Sequence, residues 1–328
     1  MNKKERVDAT LRGDALDRVP VSMWRRDFER EWNAQAFAEA TVEDYTRYDW
    51  DVVKVNPRDS YSAEGWGVKV RPSGKKLEPP VYEHSPIRNS SDWKRLRPLE
   101  PDEGVLAEQL YALQLIRHSV GFEAYFVQTI PCPLAIACQL VGGQTERVLQ
   151  TVREDRSALR NALRVITETF TTFALACFER GANGIFYDTH GWASTGLLTP
   201  DQYKEFGEQY DLEFLDAIKK RGKLNILHNG GTHVYFDQLA GYPVQVLSWD
   251  ATAEGNPNLG EGKRRSGKAV MGGLSDQTLK NGSAAQVQDE VARALEITGK
   301  RSVLLAPGRT LAPNTASKNI EAVRRALT

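Results

Sequence analysis

Arginines and carboxylates cluster in two short segments of the sequence, each of which follows an apolar run. Arg25 and Arg30 come after residues 19–23, and Asp59 comes shortly after residues 52–55. Guanidinium groups bind carboxylates through paired hydrogen bonds, so arginines gathered at one pocket indicate a substrate that carries carboxylate or phosphate groups. An aspartate among them can stabilise positive charge that develops during a reaction, or relay a proton.

Further polar side chains follow the later apolar runs. They are Asp188, Thr189, His190, His228 and Arg309. Each candidate also has a purely structural interpretation. The arginines could form a solvated helix face paired with acidic neighbours, Asp188 could cap the next segment, and His228 could be a hydrogen-bonded core residue.

Eight apolar runs alternate with stretches of helical length and would position these residues. The runs are residues 19–23, 52–55, 124–129, 184–187, 224–227, 244–247, 269–271 and 303–305. Buried strands separated by helices predict a parallel α/β fold, a (β/α)8 TIM barrel formed as one domain over residues 1–328. In such barrels the active site lies at the carboxyl ends of the strands. An open doubly wound sheet is the alternative, but no glycine-rich phosphate turn follows the first run.

Two connecting segments are distinctive. Residues 155–180 carry apolar side chains at alternating steps of three and four, which predicts a long amphipathic helix. Residues 57–101 are rich in Pro, Gly and Ser, with possible hairpin strands at 68–71 and 81–83. We interpret this irregular segment as an insertion after the second strand, since structureless loops of this length are uncommon unless they are functional.

The composition narrows the function classes. Forty-three basic residues balance forty-three acidic ones, so no overall charge favours nucleic acid or a membrane surface. The apolar runs are too short to span a bilayer, and the charged residues 1–11 lack the apolar segment of a signal peptide. Three cysteines are too few for a disulfide framework. We therefore expect a cytoplasmic enzyme that acts on a small molecule.

Several motifs resemble the uroporphyrinogen decarboxylase superfamily. They are Asp17-Arg18-Val19-Pro20 followed by Trp24-Arg25, YDTHGWASTGLLTPDQYKEF at 187–206 and APGRTLAPNTASKN at 306–319. The resemblance spans nearly the whole chain and implies a barrel. Its decarboxylase branch removes carboxylates from an acidic tetrapyrrole without a metal or organic cofactor, commonly as a homodimer.

This branch implies roles for particular residues. Arg25 and Arg30 fit the spacing of its two arginines, Asp59 fits its key aspartate, and Thr189 keeps the hydroxyl of its serine. The resemblance thus implies Asp59 and Arg25 as catalytic residues. It implies substrate contacts from Arg25, Arg30, Asp59, Thr189, His228 and Arg309. Cys138 and Arg309 replace a tyrosine and a histidine of the family, which departs from the pattern expected for the native tetrapyrrole.

A second branch of the superfamily comprises methyltransferases that act on corrinoid-bound or thiol-bound methyl groups. They hold zinc with a His-x-Cys motif and a second cysteine, and the metal activates a thiolate. Here His228 fits the first position, but Gly230 and Arg309 occupy the thiolate positions. We therefore expect no metal, and any altered site would use His228, His190 and Asp188. A barrel that binds a tetrapyrrole or corrinoid without turnover is the third alternative.

Overall fold

Seven parallel strands form the central sheet, and each is hydrogen-bonded to the next along the chain. The computed structural model describes residues 1–327, so Thr328, the last residue of the predicted domain, lies outside the described residues. The strands are β1 (Val52–Val55), β4 (Tyr125–Pro131), β5 (Gly184–Asp188), β6 (Ile226–Asn229), β7 (Val246–Trp249), β8 (Ala269–Leu274) and β9 (Val303–Pro307). The predicted α/β fold is thereby confirmed, with a parallel sheet at its centre.

The predicted first strand, residues 19–23, is not a regular strand. On one side, Val21 forms a single β-bridge with Leu305 of β9. On the other side, the Val21 carbonyl accepts a hydrogen bond from the backbone N–H of Asp51. Pro20 has no N–H, and the N–H of Val21 is donated to the Asp51 carboxylate at 2.9 Å. The prediction of eight regular strands is therefore wrong at this element. The segment nevertheless lies between β9 and β1 and is bonded to both.

The sheet curls so that one face encloses a small apolar core. A single buried cluster gathers side chains from all seven strands, from residue 24 and from the first helix. Its members are Val7, Trp24, Val52, Tyr125, Val127, Phe186, Leu224, Ile226, Val246, Ala269, Met271, Leu304 and Ala306. The intervening strand residues belong to a second, larger cluster that includes side chains of the helices. Both faces of the sheet are therefore buried, as expected for parallel strands.

Helices connect most of the consecutive strands. They are α1 (Lys3–Arg12), α2 (Ala34–Tyr48), α3 (Tyr61–Glu64), α4 (Ser90–Trp93), α5 (Gly104–Val120), α6 (Pro133–Leu140), α7 (Thr145–Glu154), α8 (Arg156–Glu179), α9 (Pro200–Tyr203), α10 (Gln209–Ile218), α11 (Phe236–Ala240), α12 (Leu259–Ser266), α13 (Asp276–Asn281), α14 (Ala284–Thr298) and α15 (Ser317–Arg325). A π-helical turn, Lys204–Glu208, joins α9 to α10. No helix within residues 1–327 is long and apolar enough to cross a membrane.

The segment between β1 and α5 carries its own small sheet. Strand β2 (Lys69–Arg71) pairs antiparallel with β3 (Val81–His84), and the short helices α3 and α4 flank this hairpin in the chain. The two strands lie where the sequence predicts a hairpin. They do not join the central sheet.

A buried ion network ties α1 to the start of β1. The Asp51 carboxylate, whose side chain is 0% exposed, accepts hydrogen bonds from Arg6 Nη1 at 2.6 Å and from Arg18 Nη1 at 2.6 Å. It also accepts the Val21 N–H described above. One carboxylate therefore fixes the first helix, the bridging segment and the first strand relative to one another.

Three tyrosines surround a second buried carboxylate, that of Asp211 on α10. It accepts hydrogen bonds from the hydroxyl groups of Tyr187 at 2.6 Å, Tyr203 at 2.7 Å and Tyr242 at 3.2 Å. Burial raises the pKa of Asp211 to about 6, although the three hydroxyl donors favour its ionised form. The folded protein therefore binds a proton at Asp211 more tightly than the unfolded chain does.

We expect Asp211 to make folding stability fall as the pH rises. Its contribution is fully present below the unfolded-state pKa of 3.8 and is lost as the pH passes through about 6. The difference between these pKa values corresponds to about 3 kcal/mol. Urea denaturation measures the free energy of unfolding of the wild type and of Asp211→Asn at each pH. The difference between the two proteins should fall by about this amount between about pH 4 and pH 7.5.

Asp216→Asn serves as the control for this measurement, because Asp216 lies on the same helix with its side chain 56% exposed. Its difference from the wild type should stay flat over the same pH range. A flat difference for Asp211→Asn as well would contradict the assigned role of the buried carboxylate.

Candidate active site

Lys54 is a deeply buried charged residue near the carboxyl end of β1. It shares with Val52 the enclosed face of the sheet, because side chains two residues apart in a strand point the same way. Its Nζ donates to Asn56 Oδ1 at 2.7 Å and lies 4.6 Å and 4.3 Å from the ring centres of Trp24 and Phe186. Lys54 is 5% exposed. Burial lowers its pKa to about 7.

His228, on β6, contacts the same two aromatic rings as Lys54. Its Nδ1 lies 2.9 Å from Ser248 Oγ, and its ring packs against Phe186 and Trp24 at centroid distances of 5.3 Å and 6.3 Å. Burial lowers the pKa of His228 to about 4, so the imidazole is neutral near pH 7. A neutral imidazole and the buried Lys54 amine therefore share Trp24 and Phe186 as aromatic neighbours.

Asp188 supplies a partly buried carboxylate to this group, with its side chain 16% exposed. It pairs in register with His228 across β5 and β6, and its Oδ1 accepts the backbone N–H of His190 at 2.8 Å. Burial acts to raise the pKa of Asp188, but electrostatic interactions with the side chains of His190, His228 and Lys54, together with the hydrogen bond from the His190 N–H, outweigh it and hold the pKa below its usual value. Asp188 is thus an ionised carboxylate within the electrostatic reach of Lys54.

A cavity of about 220 Å³ opens beside Lys54. Cationic side chains contribute to its wall together with acidic and apolar ones. The lining residues include Trp24, Arg25, Arg26, Arg30, Lys54, Asn56 and Lys76, with Asp27, Glu31 and Asp44 among the carboxylates. The predicted Arg25 and Arg30 are therefore brought together at one cavity.

Each arginine of this cavity already has an internal carboxylate partner. Arg25 forms two hydrogen bonds to Asp44, at 2.8 and 2.6 Å. Arg30 pairs with Asp27 at 2.8 Å and with Glu43 at 2.7 Å, and Arg26 pairs with Glu31 at 2.8 Å and with Asp59 at 2.6 Å. A substrate carboxylate would have to share or displace these partners.

The other predicted substrate-contact residues are not among the lining residues of this cavity. Asp59 is not among the lining residues, and its side chain is 59% exposed while it pairs with Arg26. Arg309 is also exposed and lies 3.7 Å from Asp250. Thr189 is buried, and its hydroxyl contacts the His228 carbonyl at 3.1 Å and Asn229 Oδ1. This hydroxyl is therefore engaged within the protein.

Lys54 was not among the predicted site residues, because those residues were the polar ones that follow each apolar run. A signal was nevertheless available. A lysine that interrupts Val52–Val55, two residues from a core valine, must point to the same buried face. Asp188 and His228 likewise lie within strands rather than after them.

The donor set for a methyltransferase-type zinc is not present. Gly230 and Arg309 provide no thiolate, and Cys132, Cys138 and Cys177 lie on or next to α6 and α8. His228, His190 and Asp188 do not form a metal site either, since no group of three His, Cys, Asp or Glu side chains within residues 1–327 could hold an ion. The residues of this site therefore do not fit that metal.

The fold and the site together define a parallel α/β protein with ionisable side chains gathered at the carboxyl ends of its strands, a usual location of an active site in this architecture. The sequence profile of the uroporphyrinogen decarboxylase (URO-D) family matches residues 2–328, so the chain belongs to that family. This confirms the resemblance noted in the sequence.

Individual relatives are distant. The chain is 26% identical over 273 residues to a uroporphyrinogen decarboxylase of Geobacter metallireducens, which covers 78% of this chain and 76% of that one. It is 22% identical over 342 residues to that of a Synechococcus species, covering 96% and 94%. The chain is thus a divergent member of the family.

Two solved structures share the fold. A methyltransferase from Methanosarcina mazei superposes with a TM-score of 0.85 at 23% identity, covering 99% of this chain and 98% of that one. A B12-independent methionine synthase from a Shewanella species has a TM-score of 0.60 at 13% identity, covering 94% and 95%. At these identities the likeness concerns the fold.

Proposed function

We propose that the protein is a carboxy-lyase that removes carboxylate groups from an acidic, tetrapyrrole-type substrate at the carboxyl ends of the strands. The observation that carries this proposal is the convergence of Arg25, Arg26, Arg30 and Lys54 on one cavity. Four cationic groups at one site suit a ligand with several carboxylates. Family membership and the relatives named decarboxylases support the same reaction class.

We further propose that the seven strands and residues 20–22 act together as a closed (β/α)8 barrel with the β2–β3 segment as an insertion. The hydrogen bonds of Val21 and Ser22 to both β9 and β1 support closure. A closed barrel gathers the carboxyl ends of all strands around one mouth. The substrate would then reach Lys54 from that mouth.

The chemistry needs an electron sink rather than a bound cofactor. Protonation of a pyrrole ring produces a cation, which accepts the electron pair of the breaking carbon–carbon bond as carbon dioxide leaves. The carbon then takes up a proton and the ring loses one. In this proposal the Asp59 carboxylate stabilises the cationic ring, and Arg25 holds a side-chain carboxylate. Arg30, Thr189, His228 and Arg309 contribute further substrate contacts.

Asp59→Ala is expected to lower decarboxylation about 100-fold or more, because it removes the anion that stabilises the cationic ring. The protein is incubated anaerobically with uroporphyrinogen III, and porphyrinogens with fewer carboxylates are separated by chromatography. Asp237→Ala is the matched control, since Asp237 is an 80% exposed aspartate that pairs with Arg265. Its turnover should equal that of the wild type.

Absence of product beyond a heat-killed sample would overturn the carboxy-lyase assignment for this substrate. If uroporphyrin still binds in that case, the protein is a tetrapyrrole-binding barrel without turnover. Equal turnover by Asp59→Ala and the wild type would keep the reaction but remove Asp59 from it.

A further inference from the structure

Lys54 differs from the arginines of the cavity in having no carboxylate partner. Arg25, Arg26 and Arg30 each form ion pairs, whereas the Lys54 ammonium, within the described residues, donates one hydrogen bond, to the amide oxygen of Asn56. A buried charge without a partner costs several kcal/mol or shifts its protonation instead. Lys54 lines the cavity, so a ligand anion could complete this environment.

The charged groups around Lys54, within residues 1–327, leave its ammonium charge without a direct anionic partner, so that one further negative charge would balance it. The charged and titratable side chains that act on it are Arg26, Asp59, Asp188 and His228. Asp188 and Asp59 favour the ammonium form, although among the described residues neither forms an ion pair with it, while Arg26 disfavours it. The rings of Trp24 and Phe186 bound the amine on its remaining sides.

We propose that Lys54 forms a proton-coupled subsite for one carboxylate of the substrate, borne on a small planar ring. That this ring is one pyrrole of a larger substrate rests on the proposed function. The cavity, at about 220 Å³, is smaller than sites that enclose a drug-sized ligand, ~300–1,000 Å³, so it accommodates one ring while the remainder stays outside. Trp24 offers that ring an aromatic wall.

Proton coupling follows from the burial of the Lys54 amine beside the cavity. Burial holds the pKa of Lys54 at about 7, so near pH 7 about half of the molecules carry a neutral amine. A bound carboxylate favours the ammonium form and raises this pKa. Binding at pH 7 should therefore take up about half a proton per site, and binding at pH 5.5 almost none. Above pH 7 the affinity should fall by up to about tenfold for each pH unit.

The test is calorimetric titration of the protein with pyrrole-3-carboxylate in Tris and in Hepes, whose ionisation enthalpies differ. The difference in observed enthalpy gives the number of protons taken up. Pyrrole-3-carboxamide, which is neutral, should bind weakly and without proton uptake. The wild type should take up about half a proton at pH 7 with the carboxylate.

Three variants distinguish Lys54 from its surroundings. Lys54→Met should lose about 10- to 100-fold in affinity together with the proton uptake. Lys54→Arg should bind the carboxylate without proton uptake, because a guanidinium stays charged. Lys75→Met removes a 68% exposed lysine that is not among the lining residues of the cavity, and this variant should retain the uptake. Thermal unfolding should show Lys54→Met at least as stable as the wild type, since it removes an unpaired buried charge.

Proton uptake that persists in Lys54→Met would overturn the proposal. The proposal would also be overturned if the wild type decarboxylates uroporphyrinogen but does not bind pyrrole-3-carboxylate. Lys54-dependent uptake in a protein that leaves uroporphyrinogen unchanged would uphold the subsite while rejecting the proposed reaction. The two proposals can therefore fail separately.

Discussion

Asp51→Ala is expected to lower the free energy of unfolding by about 3–5 kcal/mol, because it removes one member of a buried ion network and leaves charged partners behind. Arg18 loses both of its hydrogen bonds to this carboxylate, and the N–H of Val21 loses its acceptor. Arg6 keeps only Asp17 as an ionic partner. Urea denaturation followed by tryptophan fluorescence measures the loss.

Asp49→Ala is the matched control for this change. Asp49 pairs with Lys3 and Arg324 nearby, but its side chain is 53% exposed. Its removal should cost about 0–1 kcal/mol, as for other exposed ion pairs. Equal losses for the two variants would show that the Asp51 network contributes no more than a surface pair.

Gly184→Ala is expected to destabilise the fold by about 3 kcal/mol or more, because the added methyl group has no space. Its Cβ would lie 1.8 Å from the carbonyl oxygen of Leu224 and 2.3 Å from the carbonyl carbon. Both are backbone atoms just before β6, so β5 and β6 would have to separate. The change in the midpoint of thermal unfolding reports this strain.

Gly196→Ala provides the comparison. The nearest atom to its added Cβ would be Ser194 Oγ at 4.0 Å, an ordinary contact. This variant should unfold near the wild-type temperature. A Gly184→Ala protein that also unfolds there would show that the two strands can part at little cost.

Apolar runs predicted the seven strands well but placed several ends too early. Strand β1 begins and ends as predicted, whereas β6 was predicted at residues 224–227 and is found at Ile226–Asn229. The prediction stopped at the first polar residue. In the protein His228 and Asn229 continue the ladder and pair with Ser248 and Trp249. Strand ends that contribute side chains to a functional site are often polar. A prediction based on apolar runs alone therefore ends these strands too early.

Helices were predictable where their apolar stripe is strong. Helix α8 was predicted at residues 155–180 and runs from Arg156 to Glu179. Helix α2, Ala34–Tyr48, was not recognised, because its buried positions are mainly alanines and tyrosines. This omission hid Glu43 and Asp44, which pair with Arg30 and Arg25. The arginines could be identified from the sequence, but their partners depend on how α2 packs.

The bridge between Val21 and Leu305 determines when the sheet can close. These residues are far apart in the sequence, so a ribosome must synthesise the whole segment between them before they can meet. Such distant pairings give a high contact order and slow the final step of folding. Until then a nascent chain exposes unpaired strand edges that invite association with other chains. Closure of the proposed barrel would therefore be a late event that requires β9, the last of the seven strands along the chain.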